Sequence, residues 1–356
     1  MKNQRFLIAS GGTGGHFYPG LSIGRNLQEK GLNVLFLVRK NDLAIETLQK
    51  YNLPYEEIDL IGLPRCLNPI RHLQFIGKLI KSLFHTRKII KAFQPDVAFG
   101  TGGYLTFPLI FCARLMGVKT ALHDSNSRLG LVNKICGRFV NLFLLGLPID
   151  KTFKNTVLVG TPLRQEFDQP VDKGETLARL GLNPQTPTIL VMGGSQGAKG
   201  LNKAIVELVK KMPSYQFIHL TGNRWFEILK KEYSSIKNVL PLAYSHEIYA
   251  LMKSADLTIC RSGAGTVAEL IACRLPAICV PFPHATEDHQ YYNAKILADA
   301  GAALISRENE NLSEQLQQLL QQPSETWSQM KANYAHVPVP DPLTATVKIS
   351  QRLQEL

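Results

Sequence analysis

TILVMGGSQGAKG, residues 188–200, decides the fold. A run of apolar, strand-forming residues meets a pair of glycines, and a helical pattern over residues 201–211 follows. This is the order of a strand, a tight turn and a helix in a βαβ unit. The same order opens the chain, where RFLIAS (5–10) runs into GGTGGH (11–16) and a helix is expected from about Gly20 to Lys30. NVLFLV (33–38), PDVAFG (95–100) and VKTALH (118–123) continue the first series, each run separated from the next by a helical stretch. YQFIHLTG (215–222), NVLPLA (238–243), DLTICRSG (256–263) and PAICVPF (276–282) continue the second. A restart of this kind predicts two α/β domains, each a parallel sheet with helices on both faces.

Length agrees, since 356 residues exceed what one hydrophobic core commonly serves. The expected junction lies in VLVGTPLRQEFDQPVDKGE (157–175), where an apolar strand gives way to a polar stretch with proline and glycine. A second break, HVPVPDPL (336–343), precedes a short C-terminal helix. The domain expectation is therefore 1–162, 163–338, and a helix over 339–356 returning to the N-terminal domain.

Three turns share one design: GGTGGH (11–16), GGSQGAKG (193–200) and SGAGT (262–266). Glycine allows close backbone approach, and the N–H groups opening the following helix favour a phosphate or pyrophosphate. Neither of the first two fits G-x-G-x-x-G, and the second strand ends on Arg39 and Lys40 where an NAD site wants a carboxylate. There is no GxxxxGK[ST]. A nucleotide bound in some other way remains the better ligand class. GTGGY (100–104) and HDSN (123–126) follow two further strands, which places His123, Asp124 and Asn126 at the carboxyl edge of the first sheet, where open α/β sheets bind ligands. Glu269, one turn into the helix after SGAGT, can accept from vicinal hydroxyls or simply complement the helix dipole.

Charge narrows the partners. The chain carries +12, and residues 60–149 hold twelve lysines and arginines against only Asp96 and Asp124. Within that segment, IRHLQFIGKLIKSLFHTRKIIKAF (70–93) sets Leu73, Ile76, Leu79, Ile80, Leu83 and Phe84 among Lys78, Lys81, Arg87, Lys88 and Lys91. A helix of this composition can lie on an anionic membrane or can pack on the sheet with a solvated basic face. No stretch is long and apolar enough to span a bilayer. No nucleic-acid module or basic tail is present, so no nucleic-acid partner is expected. The six cysteines, Cys66, Cys112, Cys136, Cys260, Cys273 and Cys279, lack metal-ligand spacing and read as reduced thiols, with no metal site expected.

Seven collinear strings, GGTGGHFYPG, GTGGYLTFP, HDSNSRLGLVNK, GTPLR, GGSQGAKGLN, CRSGAGTVAEL and PFPHATEDHQYYNA, closely resemble the MurG family of peptidoglycan N-acetylglucosaminyltransferases. That resemblance implies the GT-B fold, two Rossmann-like domains facing a cleft. It implies an inverting hexosyltransferase that moves GlcNAc from UDP-GlcNAc to the 4-hydroxyl of MurNAc in undecaprenyl-diphosphate-MurNAc-pentapeptide, at the cytoplasmic side of the bacterial inner membrane. By motif it assigns Thr13, Gly14, Gly15, Asn126, Arg164, Ser195, Ser245, Ala264, Gly265, Thr266, Val267, Ala268, Glu269 and Gln290 to the donor. It assigns Tyr104, His123 and Asn133 to the acceptor. His16 is the first candidate for the base, because it follows the glycine turn and an imidazole titrates near neutrality, and Asp124 is the second. HDSN stands where the family often has HEQN, which shortens the acid by one methylene. No cofactor is expected, since there is no DxD motif and glycine-turn N–H groups with Arg164 suit the leaving diphosphate. Other cell-wall synthesis or division proteins are further partners the family implies. The competing readings are another membrane-associated GT-B transferase and a non-catalytic GT-B scaffold.

Overall fold

The computed structural model describes residues 4–12, 14–64, 68–150, 152–194, 196–322 and 324–356. The chain forms two compact units, Met1–Arg164 with Val339–Leu356, and Gln165–Pro338. In the first unit β1 (Arg5–Ala9), β2 (Asn33–Arg39), β3 (Tyr55–Ile58), β4 (Val97–Gly100), β5 (Lys119–Asp124), β6 (Leu142–Leu145) and β7 (Thr156–Leu158) form a sheet. Its order is β3-β2-β1-β4-β5-β6-β7, with every pairing parallel. In the second, β8 (Thr188–Met192), β9 (Gln216–Leu220), β10 (Val239–Leu242), β11 (Leu257–Cys260), β12 (Ala277–Cys279) and β13 (Ala303–Ile305) run β10-β9-β8-β11-β12-β13, again all parallel. Both sheets have the doubly wound order, with a switch point between β1 and β4 and another between β8 and β11.

The central strands β1, β4, β8 and β11 are mostly apolar because both faces are covered. Phe6 and Ile8 of β1 join one core with Phe36, Phe99 and Ile23, while Leu7 and Ala9 join the opposite core with Leu37, Leu109 and Ile90. The second unit builds its core from Ile189, Val191, Phe217, Leu257 and Ile259 against Leu201, Ile205 and Leu208 of the helix Lys199–Lys211. The C-terminal helix Pro342–Gln354 buries Ile349 and Leu353 in the core of the first unit. At about 1.5–3 kcal/mol for each such side chain, that closure is a substantial share of a domain's stability.

The first helix departs from the expectation of a start near Gly20. It runs Gly14–Glu29 with Pro19 inside it. Proline cannot donate to the carbonyl of Gly15 four residues back, and its ring crowds the preceding turn. Ser10 Oγ lies 3.1 Å from both the His16 and Phe17 carbonyls, and Thr101 Oγ1 donates to the His16 carbonyl at 2.8 Å. These hydroxyls let the helix extend upstream of Pro19 and place His16 in its first turn.

Two histidines on strands are fully buried, His123 on β5 and His219 on β9. Burial lowers the pKa of both, that of His219 to about 3. Unfolding exposes them to water, where each takes a proton near pH 6.5. The stability they contribute is therefore complete above about pH 6.5 and is lost as pH falls toward the folded-state values. Between pH 7 and 5, where carboxylates stay largely ionised, the unfolding free energy should decline with a limiting slope of roughly 1.4 kcal/mol per pH unit for each buried histidine. Urea titrations across that range read the slope, and a flat profile contradicts the buried neutral state.

Candidate active site

At the carboxyl ends of β1 and β4 the backbone makes room for one imidazole. Gly102 and Gly103 both have positive φ, and a Cβ on Gly102 would lie 2.8 Å from His16 Nδ1. Thr106 Oγ1 clamps this loop through both the N–H (3.2 Å) and the carbonyl (2.9 Å) of Gly102. His16 Nδ1 sits 3.1 Å from the Thr101 carbonyl. A carbonyl only accepts, so Nδ1 carries a proton, and in the tautomer this selects Nε2 holds the lone pair. The half-buried imidazole is thereby oriented as a proton acceptor.

Asp124 is nearly buried and differently employed. Oδ1 accepts from Asn126 N–H (3.0 Å) and Asn126 Nδ2 (3.4 Å), and Oδ2 from Asn133 Nδ2 (2.9 Å) and Gly130 N–H (3.3 Å). Its lone pairs point into the loop 124–133 rather than toward an incoming hydroxyl, so the second candidate base shapes the loop instead. Asn133, turned by Asp124, leaves its buried Oδ1 without a protein partner. The expectation that His123 touches a ligand is corrected. Its side chain is completely buried, with Nε2 bonded to the Gly160 carbonyl at 3.1 Å, because β5 pairs on both sides and carries His123 into the interior.

Tyr104 lies beside the first glycine turn, its ring 3.8 Å from where a Cβ on Gly12 would stand. Gly14 and Gly15 are exposed at the opening of their helix, while Thr13 lies outside the described residues. One residue escaped the sequence reading. Asp42, just beyond Arg39 and Lys40, accepts from Gly12 N–H at 2.9 Å and from Ala44 N–H at 3.1 Å. An acid seated on this turn disfavours a phosphate there. The signal was its place, since Rossmann sheets carry a carboxylate near the end of the second strand. Arg164 ends the first of the two segments that make up this unit.

In the second unit three loops follow strands on either side of the switch point. Ser195, in the turn after β8, lies outside the described residues, but the turn's geometry is set by Gly197, φ +72°, whose Cβ would meet the Thr221 carbonyl at 2.1 Å. After β11, the helix Ala264–Cys273 opens at Gly263 with no side-chain cap, so its first N–H groups lack intrahelical partners. Gly265, Thr266 and Glu269 form its outward face, as spacings of one, three and four residues require. Val267 and Ala268 turn their side chains away from this face. Both are buried in the unit, which follows from the same helical period. Gln290, on the helix His289–Asp299, accepts from Phe282 N–H at 2.9 Å, which leaves its amide N–H groups to donate. Ser245, after β10, caps Glu247 N–H with its hydroxyl at 3.1 Å.

Arg261 ties these loops together. Nη1 donates to the Val280 and Pro281 carbonyls at 2.9 and 3.1 Å, and Nη2 pairs with Glu308. Glu308 in turn fills the space above Gly200, in the first turn of the helix after β8. One buried ion pair thus links the ends of β8, β11, β12 and β13.

A second surface lies on the first unit. Asn68 caps the helix Pro69–Phe93 through Ile70 N–H and Arg71 N–H. Of its apolar residues, Leu79 and Leu83 pack on the core, but Ile70, Leu73, Ile76, Ile80 and Phe84 are 49–72% exposed. These five recur at helical spacing on one outward stripe. Exposed Lys81, Arg87, Lys88 and Lys91 share the helix. Among the described residues no helix is long and apolar enough to cross a membrane.

Family comparisons match residues 6–144 to the glycosyltransferase family 28 N-terminal domain and residues 188–341 to the family 28 C-terminal domain. The chain is 48% identical over 360 residues to the UDP-N-acetylglucosamine--N-acetylmuramyl-(pentapeptide) pyrophosphoryl-undecaprenol N-acetylglucosamine transferase of Elusimicrobium minutum, covering 99% of this chain and all of that one. It is 30% identical to the Bacillus subtilis protein of the same name, with 99% of each covered. Among solved structures, Acinetobacter baumannii MurG superposes with a TM-score of 0.82 at 27% identity, covering 99% of this chain and 100% of that one.

Replacing Arg261 with methionine keeps the bulk of the side chain but leaves Glu308 without its buried cation. The second unit should lose roughly 3–5 kcal/mol, and less for Glu308→Gln. Denaturant unfolding measures both, and a loss below about 1 kcal/mol for Arg261→Met would contradict the linking role.

Proposed function

This chain belongs to the family of UDP-N-acetylglucosamine–N-acetylmuramyl-(pentapeptide) pyrophosphoryl-undecaprenol N-acetylglucosamine transferases, within glycosyltransferase family 28, and on that premise we propose how its residues perform the transfer. The chain moves GlcNAc from UDP-GlcNAc onto undecaprenyl-diphosphate-linked MurNAc-pentapeptide, a step of peptidoglycan synthesis. Full-length identity of 48% to the Elusimicrobium minutum transferase carries this reading.

The donor is assigned to residues 163–338 and the acceptor to 1–162, with 339–356 completing the acceptor domain. The uncapped helix at Ala264, the β8 turn with Ser195, and Arg164 take the diphosphate, since helix N–H groups and a guanidinium stabilise the charge that develops as UDP leaves. Glu269 accepts from the ribose diol. Gln290 donates its amide N–H to a sugar oxygen, its own oxygen being held by Phe282. Ser245 lies by the base, and Gly14, Gly15 and Asn126 complete the donor set. The seat of Asp42 on Gly12 supports giving the diphosphate to the second unit.

In the chemical step the 4-hydroxyl oxygen of MurNAc bonds to the anomeric carbon as the bond from that carbon to the diphosphate oxygen breaks, and UDP departs with the electron pair. His16 Nε2 takes the hydroxyl proton, because Thr101 holds the proton of the ring on Nδ1. The α-linked donor gives a β-linked product by inversion. Tyr104 and Asn133 face the acceptor, and Asp124 holds Asn133 in place. The diphosphate needs no metal where helix dipoles and Arg164 supply the positive charge.

The exposed stripe of the helix Pro69–Phe93 supports a peripheral site at the cytoplasmic face of the inner membrane. A contiguous exposed apolar stripe set among cations is the pattern of an interfacial helix.

Purified protein with UDP-GlcNAc and a short-chain lipid-linked MurNAc-pentapeptide should release UDP only when acceptor is present, and should do so in EDTA. His16→Ala should lower kcat by about 10²–10⁴-fold. Glu269→Ala should raise KM for UDP-GlcNAc about tenfold or more, since a charged hydrogen bond contributes about 1.5–3 kcal/mol. Absence of acceptor-dependent release defeats the reading. Leu73→Glu with Phe84→Glu should cut co-sedimentation with anionic vesicles at least about tenfold while leaving the fold intact, because both positions are exposed. Unchanged co-sedimentation would remove the membrane assignment.

A further inference from the structure

Beneath the β8 turn runs a line of buried polar groups that the transfer chemistry leaves unused. Tyr233, His219, Asn202 and Thr221 are all buried. Tyr233 Oη lies 2.8 Å from His219 Nδ1, His219 Nε2 lies 3.1 Å from Asn202 Oδ1, and Asn202 Nδ2 donates to the Thr221 carbonyl at 3.0 Å.

The directions of these bonds follow from the last of them. A carbonyl can only accept, so the Asn202 amide must present Nδ2 to Thr221 and Oδ1 to the histidine. Oδ1 also only accepts, so Nε2 carries the imidazole proton and Nδ1 is bare. The tyrosine hydroxyl must then donate to Nδ1. Burial keeps the chain in this state, lowering the His219 pKa to about 3 and raising that of the Tyr233 phenol.

Its far end meets the glycine turn. The Thr221 carbonyl would stand 2.1 Å from a Cβ on Gly197, and a Cβ on Gly222 would stand 2.3 Å from Gly197 N. Gly197 N–H is in turn bonded to the Gly194 carbonyl at 2.9 Å. Asn202 sits in the first turn of the helix that leaves this turn. The two backbone segments therefore touch without side chains between them, and the angle of the Thr221 carbonyl decides where Gly197 lies.

We infer that His219 is a positioning residue for the donor site, passing a one-way hydrogen-bond chain from Tyr233 through Asn202 to the Thr221 carbonyl and so fixing the glycine turn that holds the donor diphosphate. The inference rests on the assignment of the diphosphate to that turn. It makes UDP affinity depend on groups that touch no substrate, with the dependence strongest at Asn202 and weaker at Tyr233.

The test uses the full chain and three variants, Asn202→Asp, His219→Gln and Tyr233→Phe, with UDP affinity by calorimetry, kinetic constants, and ¹⁵N NMR of His219. Asn202→Asp is nearly isosteric but cannot donate to Thr221, so the Kd of UDP and the KM for UDP-GlcNAc should rise together by about tenfold or more. The KM for the acceptor should stay within about twofold, less than the resolution of one neutral hydrogen bond. Tyr233→Phe, at the far end, should shift UDP affinity by about threefold, and His219→Gln should fall between the two. The NMR spectrum of the unaltered protein should show the Nε2–H tautomer.

A protonated Nδ1, or variants that lose thermal stability yet bind UDP as the unaltered protein does, would overturn the inference. Should a variant fail to fold, the tautomer and the remaining variants still decide it. Failure of the unaltered protein to bind UDP would instead remove the donor-site reading beneath it.

Discussion

A parallel sheet covered by helices on both faces leaves its strands no side chain for solvent, so polar chemistry is confined to the loops at the strand ends. Each unit obeys this constraint. Phe6 to Ala9 and Ile189 to Val191 are wholly buried, and exposed residues appear only in the glycine turns that follow, at Gly12 and Gly194. The doubly wound order then opens a gap where neighbouring loops diverge, between β1 and β4 and between β8 and β11. Glycine is needed at these places because the partners are backbone or ring atoms that cannot retreat, as with His16 against Gly102 and Thr221 against Gly197.

Within those loops, function depends on which atom carries a proton. Three histidines show three outcomes from one rule, that an oxygen acceptor fixes the tautomer. His16 gives Nδ1–H to Thr101 and keeps Nε2 outward in a half-buried loop. His123 gives Nε2–H to Gly160 and is sealed in the sheet, while His219 gives Nε2–H to Asn202 and receives Tyr233. Residue type is the same in all three. Burial and the position of one oxygen separate the half-buried ring from the two sealed ones.

The two units divide charge in a similar way. The first sets Asp42 and Asp124 around its glycine turn and HDSN loop, each carboxylate organising backbone N–H groups. The second leaves the helix N-terminus at Ala264 uncapped and locks the buried cation of Arg261 into carbonyls and Glu308. An anionic leaving group is better served by the second arrangement. The first unit also carries an apolar surplus outside its core: Ile70, Leu73, Ile76, Ile80 and Phe84 stay exposed, while Leu79 and Leu83 pack inward.

Fold class and family were legible along the chain, because apolar strands, glycine turns and helical periods are local signals and seven collinear motifs are specific. The sequence by itself marked His16 and Glu269 by their distance from a turn. It missed the edge strands β3 and β13, which are short and only partly buried, and the four-residue β6, and it began the first helix after Pro19 because the supporting hydroxyls of Ser10 and Thr101 come from other strands' ends. Only the tertiary structure decided that His123, Val267 and Ala268 face inward, that Asp124 is occupied by its own loop, and that Asp42 reaches Gly12 across thirty residues. Those outcomes depend on hydrogen bonds and packing between segments remote in the chain, and the identity of a residue does not reveal which distant oxygen its side chain will meet.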